Sequence, residues 1–142
     1  MSGRISAEDR ATYRGLVEVL LPAAAGMPSG VEVGVADAGL NRVLSVRADL
    51  AAELLEALSQ ARGKEAGTAV KLLQEENGVA WHALRLVAFG AYYLAPPVQR
   101  RLGYTGQPAS PYDPDKTPSF VETGLIDAVV ARGRLWRSPE SK

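Results

Sequence analysis

Apolar residues recur with helical spacing over most of the chain. In the first such stretch they follow Ser6 at intervals of three and four residues, at Tyr13, Leu16, Val17, Leu20 and Leu21. This spacing places them on one stripe of an amphipathic helix. Ser6 is a favourable N-cap with Asp9 at the capping-box position, and Pro22 ends the helix.

The same pattern predicts three more helices before residue 77. One covers 35–46, a second runs from about Asp49 to Gly63, and a third covers 65–76. We expect Asp49 to cap the second of these, because a short acidic side chain can accept hydrogen bonds from the first turn. The segment 31–35, VEVGV, is also compatible with a short strand.

The segment 79–95, VAWHALRLVAFGAYYLA, is apolar almost throughout. Only His82 and Arg85 interrupt it. It is shorter than the roughly 20 residues that span a bilayer, and it carries a charge. We therefore predict a central helix buried on most sides, in which Gly90 and Ala91 let a neighbouring backbone approach closely.

The stretch from Tyr92 to Tyr112 holds four of the five tyrosines and a cluster of prolines. Pro96 opens a short helix that Gly103 ends, since proline is tolerated in a first turn. The following loop, 104–120, is longer than most loops of compact domains, and such loops are often functional. Two interpretations remain open: the stretch covers the chain's own helices with its tyrosines in the core, or it is a stiff arm that lies on a partner.

A last helix is predicted from about Thr123 to Arg132, followed by a polar tail that contains Trp136. Its inward residues are predicted to be Leu125, Ile126, Val129 and Val130. The sequence thus indicates an all-α fold, a small irregular bundle of about five to seven helices with a long proline- and tyrosine-rich loop. We expect one domain over 1–142, with an extended arm at about 96–120.

The net charge and the absence of cysteine limit the classes of function that this chain can have. The 142 residues include 16 basic and 16 acidic side chains, so the formal net charge is zero. Nucleic-acid-binding proteins normally carry a basic excess, and a neutral chain has no broad attraction to anionic membranes. The absence of cysteine excludes disulfides and iron–sulfur ligation by this chain. The first residues show neither an apolar signal core nor a twin arginine, so we expect a cytoplasmic protein.

Catalytic motifs are missing from the sequence. There is no glycine-rich phosphate loop and no nucleophile elbow. The single histidine, His82, lacks the glutamate three positions earlier that di-metal bundles use, and Glu75 and Glu76 are adjacent and so face different directions. A small enzyme that uses His82 as a general base is one further alternative. A structural histidine, hydrogen-bonded inside the helix bundle, is the interpretation we favour for His82.

Four segments together resemble the gluconate 2-dehydrogenase subunit 3 family. They are LVEVLLPA at 16–23, PSGVEVGVADAGLNRVL at 28–44, AYYLAPPVQRRLGYTGQP at 91–108 and VVARGRLWR at 129–137. The segment 91–108 is the most distinctive of them. The resemblance implies a small, helical, non-catalytic subunit that binds and stabilises a large FAD-dependent dehydrogenase of the glucose–methanol–choline type, which oxidises sugars or other alcohols.

The resemblance also implies that FAD lies in the partner and that this chain holds no cofactor or metal. Many family members carry a twin-arginine signal, which this sequence lacks, so a cytoplasmic hetero-oligomer is expected. The residues expected at the partner interface are Tyr92, Tyr93, Pro96, Pro97, Arg100, Tyr104, Gln107, Pro108, Tyr112, Trp136 and Arg137. The alternative function is a stand-alone helical domain that binds a small molecule between helix 79–95 and the tyrosine arm.

Overall fold

The computed structural model describes residues 5–107, 113 and 119–133. Their contacts form two compact units that divide between Gly106 and Gln107, and each unit is described by itself. Within the described residues the fold is all-α, as predicted, with a single isolated β-bridge between Ala24 and Met27. The helices are α1 (Ala7–Leu20), α2 (Leu40–Val46), α3 (Ala51–Ala61), α4 (Ala66–Glu76), α5 (Gly78–Tyr93), α6 (Pro96–Arg101) and α7 (Asp127–Ala131).

The start of α1 confirms the predicted capping box. The Ser6 hydroxyl accepts a hydrogen bond from the Asp9 amide at 3.1 Å, and the Ser6 amide donates to Asp9 Oδ2 at 3.1 Å. Asp9 is buried, and Arg62 Nη2 at the end of α3 donates to its Oδ1 at 2.6 Å. The Ser6 hydroxyl, its amide and then Arg62 hold the pKa of Asp9 below its usual value, although burial opposes them.

Helix α5 is the centre of the first unit and contacts α2, α3, α4 and α6. Its inner face is made of small and medium apolar residues that are almost fully buried: Ala80, Ala83, Leu84, Val87, Ala88 and Ala91. A Cβ on Gly39 would lie 3.0 Å from the Cβ of Ala91. The backbone before α2 therefore packs directly on α5, which confirms the close approach predicted at Ala91.

Two local predictions in the first unit are wrong. Residues 31–35 form turns that lead into a π-helical segment, Val35–Gly39, rather than a strand. Asp49 does not cap α3, which begins after a short 3-10 turn, Ala48–Leu50, without a side-chain cap. The Asp49 carboxylate instead accepts three hydrogen bonds from Arg47, at 2.9, 3.2 and 2.7 Å, and this ion pair competes with capping.

The end of the chain also differs from the prediction. Helix α7 is only five residues long, and the side chains expected to face inward at Leu125, Val129 and Val130 are exposed. No described residue of the second unit is buried. An isolated helix as short as α7 is marginally stable in water, because its nucleation is costly. None of the described helices is long and apolar enough to cross a lipid bilayer.

Candidate functional site

The outward face of α5 carries an open apolar groove. Leu86, Gly90 and Leu94 follow one another at intervals of four residues, so they form a stripe about 12 Å long along the helix. Three depressions of about 690, 390 and 300 Å³ meet at Gly90. We call this surface the outer groove; its lining includes Arg42, Val43, Val46, Arg85, Leu86, Phe89, Gly90, Tyr93, Leu94, Gln99, Leu102 and Tyr104.

The largest depression lies between the end of α5 and α6. Ala95 is extended and Pro96 starts α6, so the chain turns sharply between the two helices. Gly103 then adopts a left-handed conformation with φ 68°, and the Tyr104 amide donates to the Gln99 carbonyl at 2.9 Å. This turn brings Tyr104 to the groove opposite Tyr93, and both side chains are 54% exposed.

The second depression lies between α2 and α5. Its apolar lining includes Val43, Leu50 and Val46, and Val46 is 81% exposed. Arg42 lies at its edge, where Nη1 donates to the Leu94 carbonyl at 3.3 Å. That contact places a cation at the C-terminal end of α5, which favours the helix dipole.

The third depression lies on the other side of the stripe, over the second half of α5. Phe89 and Leu86 line it, together with Arg85. The Arg85 guanidinium lies 5.8 Å from the centre of the Trp81 ring, within the range of a cation–π contact. The outer groove is therefore apolar along its floor and carries arginines on both flanks.

Gly90 leaves a gap at the point where the three depressions meet. A Cβ at this position would meet only Val43 Cγ2, at 3.8 Å, which is an ordinary van der Waals distance. The packing of the described residues thus does not require glycine here. At Gly90 the close approach predicted from the sequence is not made by the backbone of any described residue, and the position faces the groove.

Tyr92 and Tyr93, both expected at the partner interface, have opposite environments. Tyr92 is buried, and its hydroxyl donates to the Pro28 carbonyl at 2.7 Å. Burial, followed by the neighbouring Tyr93 and Glu32, raises the pKa of Tyr92. Tyr92 is thus buried in the core of the first unit, whereas Tyr93 is exposed and meets the Tyr92 ring edge-on at 5.5 Å.

The other expected interface residues fall into three groups. Pro96, Pro97 and Arg100 are exposed on α6. Gln107 is exposed and belongs to the second unit. The remaining four lie outside the described residues: Pro108, Tyr112, Trp136 and Arg137.

Several residues of the outer groove were not anticipated. Four exposed apolar side chains in the groove were not among the residues expected at the partner interface: Val46, Leu86, Leu94 and Leu102. The segment 79–95 is apolar on all sides, so its periodicity does not indicate which side faces outward. The helix is buried along one face, and the prediction did not indicate that Leu86 and Leu94 lie on the exposed side.

No candidate catalytic group is assembled in the described part of the chain. His82 is exposed on α5 and has no hydrogen bond to another described residue. Among residues 5–107, 113 and 119–133, no three histidine or acidic side chains are grouped as a metal site. Taken by itself, the second unit exposes its own apolar side chains, at Phe120, Val121, Leu125, Val129 and Val130.

No family model, curated protein or solved structure gives a significant match to this chain. The similarity to the gluconate 2-dehydrogenase subunit 3 family therefore stays a prediction from the sequence segments quoted above.

Proposed function

We propose that this chain is a non-catalytic small subunit that binds and stabilises a large FAD-dependent oxidoreductase of the glucose–methanol–choline type. The observation that carries the proposal is the outer groove, an open apolar surface on a unit that already buries a continuous apolar core. FAD and the sugar or alcohol substrate would belong to the partner. A hetero-oligomer in the cytoplasm is part of the same proposal.

The chemistry of the outer groove supports a protein partner. Soluble monomers rarely expose large contiguous apolar surfaces, and such surfaces often mark interaction sites. The groove combines tyrosine, leucine and arginine side chains, and tyrosine and arginine are enriched at the centres of protein interfaces. Tyr93 and Tyr104 offer large contact areas while losing little side-chain entropy on binding.

The sequence resemblance supplies the class of partner. The largest depression is lined by Tyr93, Gln99, Leu102 and Tyr104, all of which lie in the distinctive segment 91–108. The segment that most resembles the family thus also supplies most of the lining of the largest depression. This coincidence supports a binding role for these residues.

The proposed mechanism is thermodynamic. A subunit that binds only the folded form of its partner shifts the partner's unfolding equilibrium by mass action. At a concentration one hundred times the Kd, this stabilises the partner by roughly 2.7 kcal/mol. Covering the outer groove would stabilise this chain in the same way.

Purification of the tagged chain from its native host tests the proposal. We expect a stoichiometric large protein with flavin absorbance to elute with it. We also expect the chain produced alone to self-associate, because Val46, Tyr93 and Leu102 lack cover. A monodisperse, colourless chain that elutes alone would contradict the proposal.

A stand-alone small-molecule-binding domain is the second candidate. The depression of about 690 Å³ is within the size range of ligand pockets, and Gln99 and the two tyrosine hydroxyls supply polar groups beside an apolar wall. A rise in the Tm of the isolated, monomeric chain on addition of a sugar or an apolar ligand would favour this candidate. An unchanged Tm across such ligands would count against it.

A further inference from the structure

The charged residues that line the outer groove in the described part of the chain are all basic. The lining of the three depressions includes Arg42, Arg47 and Arg85 but no described aspartate or glutamate. Arg47 is already paired with Asp49 at 2.7 Å. Arg42 and Arg85 form no ion pair with any described residue. Two guanidinium groups on opposite flanks of the stripe are therefore available to a partner.

Arg42 and Arg85 each make one contact that fixes the side chain but leaves most of its N–H donors without an acceptor among the described residues. Arg42 uses one N–H on the Leu94 carbonyl, and Arg85 stacks on Trp81. A guanidinium group has five N–H donors, so most remain free in both side chains. Carboxylates are the protein groups that match this donor geometry, often with two parallel hydrogen bonds.

Gly90 has no side chain, and this indicates how closely a partner segment can pack at the centre of the groove. With no Cβ there, another backbone can approach α5 more closely than at Leu86 or Leu94. No strand edge is present in the described residues of the first unit, so a partner segment would find no strand to pair with. An α-helix satisfies its own backbone hydrogen bonds and can lie on an apolar surface without a buried polar cost.

We propose that the outer groove receives an amphipathic α-helix of the partner, with a small residue packed over Gly90 and carboxylates at its edges that pair with Arg42 and Arg85. This inference rests on the proposed function, because it specifies how the partner subunit is bound. It predicts that the bound segment of the partner is a helix with one apolar face and acidic residues along the edges of that face.

The first test uses two matched glycine variants and the host's large flavoprotein, produced together with this chain. Gly90→Ala adds a methyl group to the centre of the groove, and we expect the Kd of the complex to rise about tenfold because the helix can no longer approach. Gly15→Ala is the control, since Gly15 also lies within a helix and has open space around it. Both variants should raise the Tm of the free chain, because alanine is the better helix former.

The second test addresses the charges. We expect Arg42→Gln combined with Arg85→Gln to weaken the complex about tenfold and to reduce the dependence of its Kd on salt. Lys71→Gln, on the exposed side of α4, is the control and should leave the Kd unchanged. A photoreactive benzophenone residue in place of Leu94 should cross-link to a partner peptide with helical apolar spacing and acidic flanks.

The outcomes separate this inference from the proposed function. An intact complex in which Gly90→Ala and the double arginine variant bind as tightly as the original chain overturns the helix proposal and leaves the subunit proposal standing. Cross-linking from position 94 to a proline-rich, extended segment of the flavoprotein would also overturn the helix proposal and leave the subunit proposal standing. Failure of the chain to bind the flavoprotein at all overturns both.

Discussion

The two faces of α5 are built from similar residue types but have opposite environments. The inner face has Leu84, Val87 and Ala88, all fully buried, whereas the outer face has Leu86, Tyr93 and Leu94, all partly exposed. The inner face is closed by the other helices of the first unit. The comparison shows that apolar character alone does not define the core; what matters is whether another element of the chain lies over it.

The largest expected difference between the faces comes from one pair of leucines. Leu84→Ala should lower the free energy of unfolding by about 2–5 kcal/mol, because Leu84 is 0% exposed and its removal leaves a cavity. Leu86→Ala, two residues on, should cost only about 0.5–1 kcal/mol, because Leu86 is 37% exposed. Urea unfolding at low protein concentration measures both. Equal costs would show that the outer face is covered in the free chain.

Two ion pairs extend the comparison to charges: Asp9–Arg62, in which only the carboxylate is buried, and Arg47–Asp49 near the groove. Asp9→Asn should lower the free energy of unfolding at pH 7 by about 1.5 kcal/mol, because it removes a buried charge paired with Arg62. Asp49→Asn should cost less, because both members of the Arg47–Asp49 pair are about half exposed. A larger cost for Asp49→Asn would contradict this ranking.

The Asp9 effect should also depend on pH. The pKa of Asp9 is lowered in the folded chain, so its contribution is present above the unfolded value of about 3.9 and disappears as the pH falls through the lower folded value. Unfolding curves of the original chain and Asp9→Asn should therefore converge in strongly acidic solution. A difference that persists unchanged there would show that the charge is not the cause.

The adjacent tyrosines give the smallest expected effect. Tyr92→Phe should lower the free energy of unfolding by about 0.5–1.5 kcal/mol, because it removes the hydrogen bond to the Pro28 carbonyl. Tyr93→Phe should leave stability almost unchanged, because its hydroxyl bonds to no other described residue. Thermal unfolding of the two variants checks this pair, and a larger loss for Tyr93→Phe would be inconsistent with the structure.

Local features of the first unit were the most predictable from sequence. The capping box of Ser6 and Asp9 depends on residues three positions apart, and the bounds of α4 and α6 follow from equally local signals. The predicted cap at Asp49 failed because a neighbouring arginine competes for its carboxylate. Such a competition depends on side-chain positions that spacing does not determine.

The candidate site was only partly predictable. The tyrosine- and proline-rich composition of the segment predicted that Tyr93 and Tyr104 lie on a binding surface, and both residues line the outer groove. Tyr92 and Tyr93 are chemically the same, however, and only the packing of α5 decides which of them is buried. The contribution of α2, through Arg42 and Val46, joins residues about 50 positions apart and has no signal in the local pattern.

Hydroxyl-radical footprinting tests the central claim, that the outer groove is a protein interface. In the free chain, kept dilute enough to be monomeric, Tyr93 and Tyr104 should be oxidised readily, while buried Tyr13 and Tyr92 provide internal controls that stay protected. In the complex purified from the host, the account predicts that Tyr93 and Tyr104 become protected as well. Equal oxidation of Tyr93 and Tyr104 in the free chain and in an intact complex would contradict it.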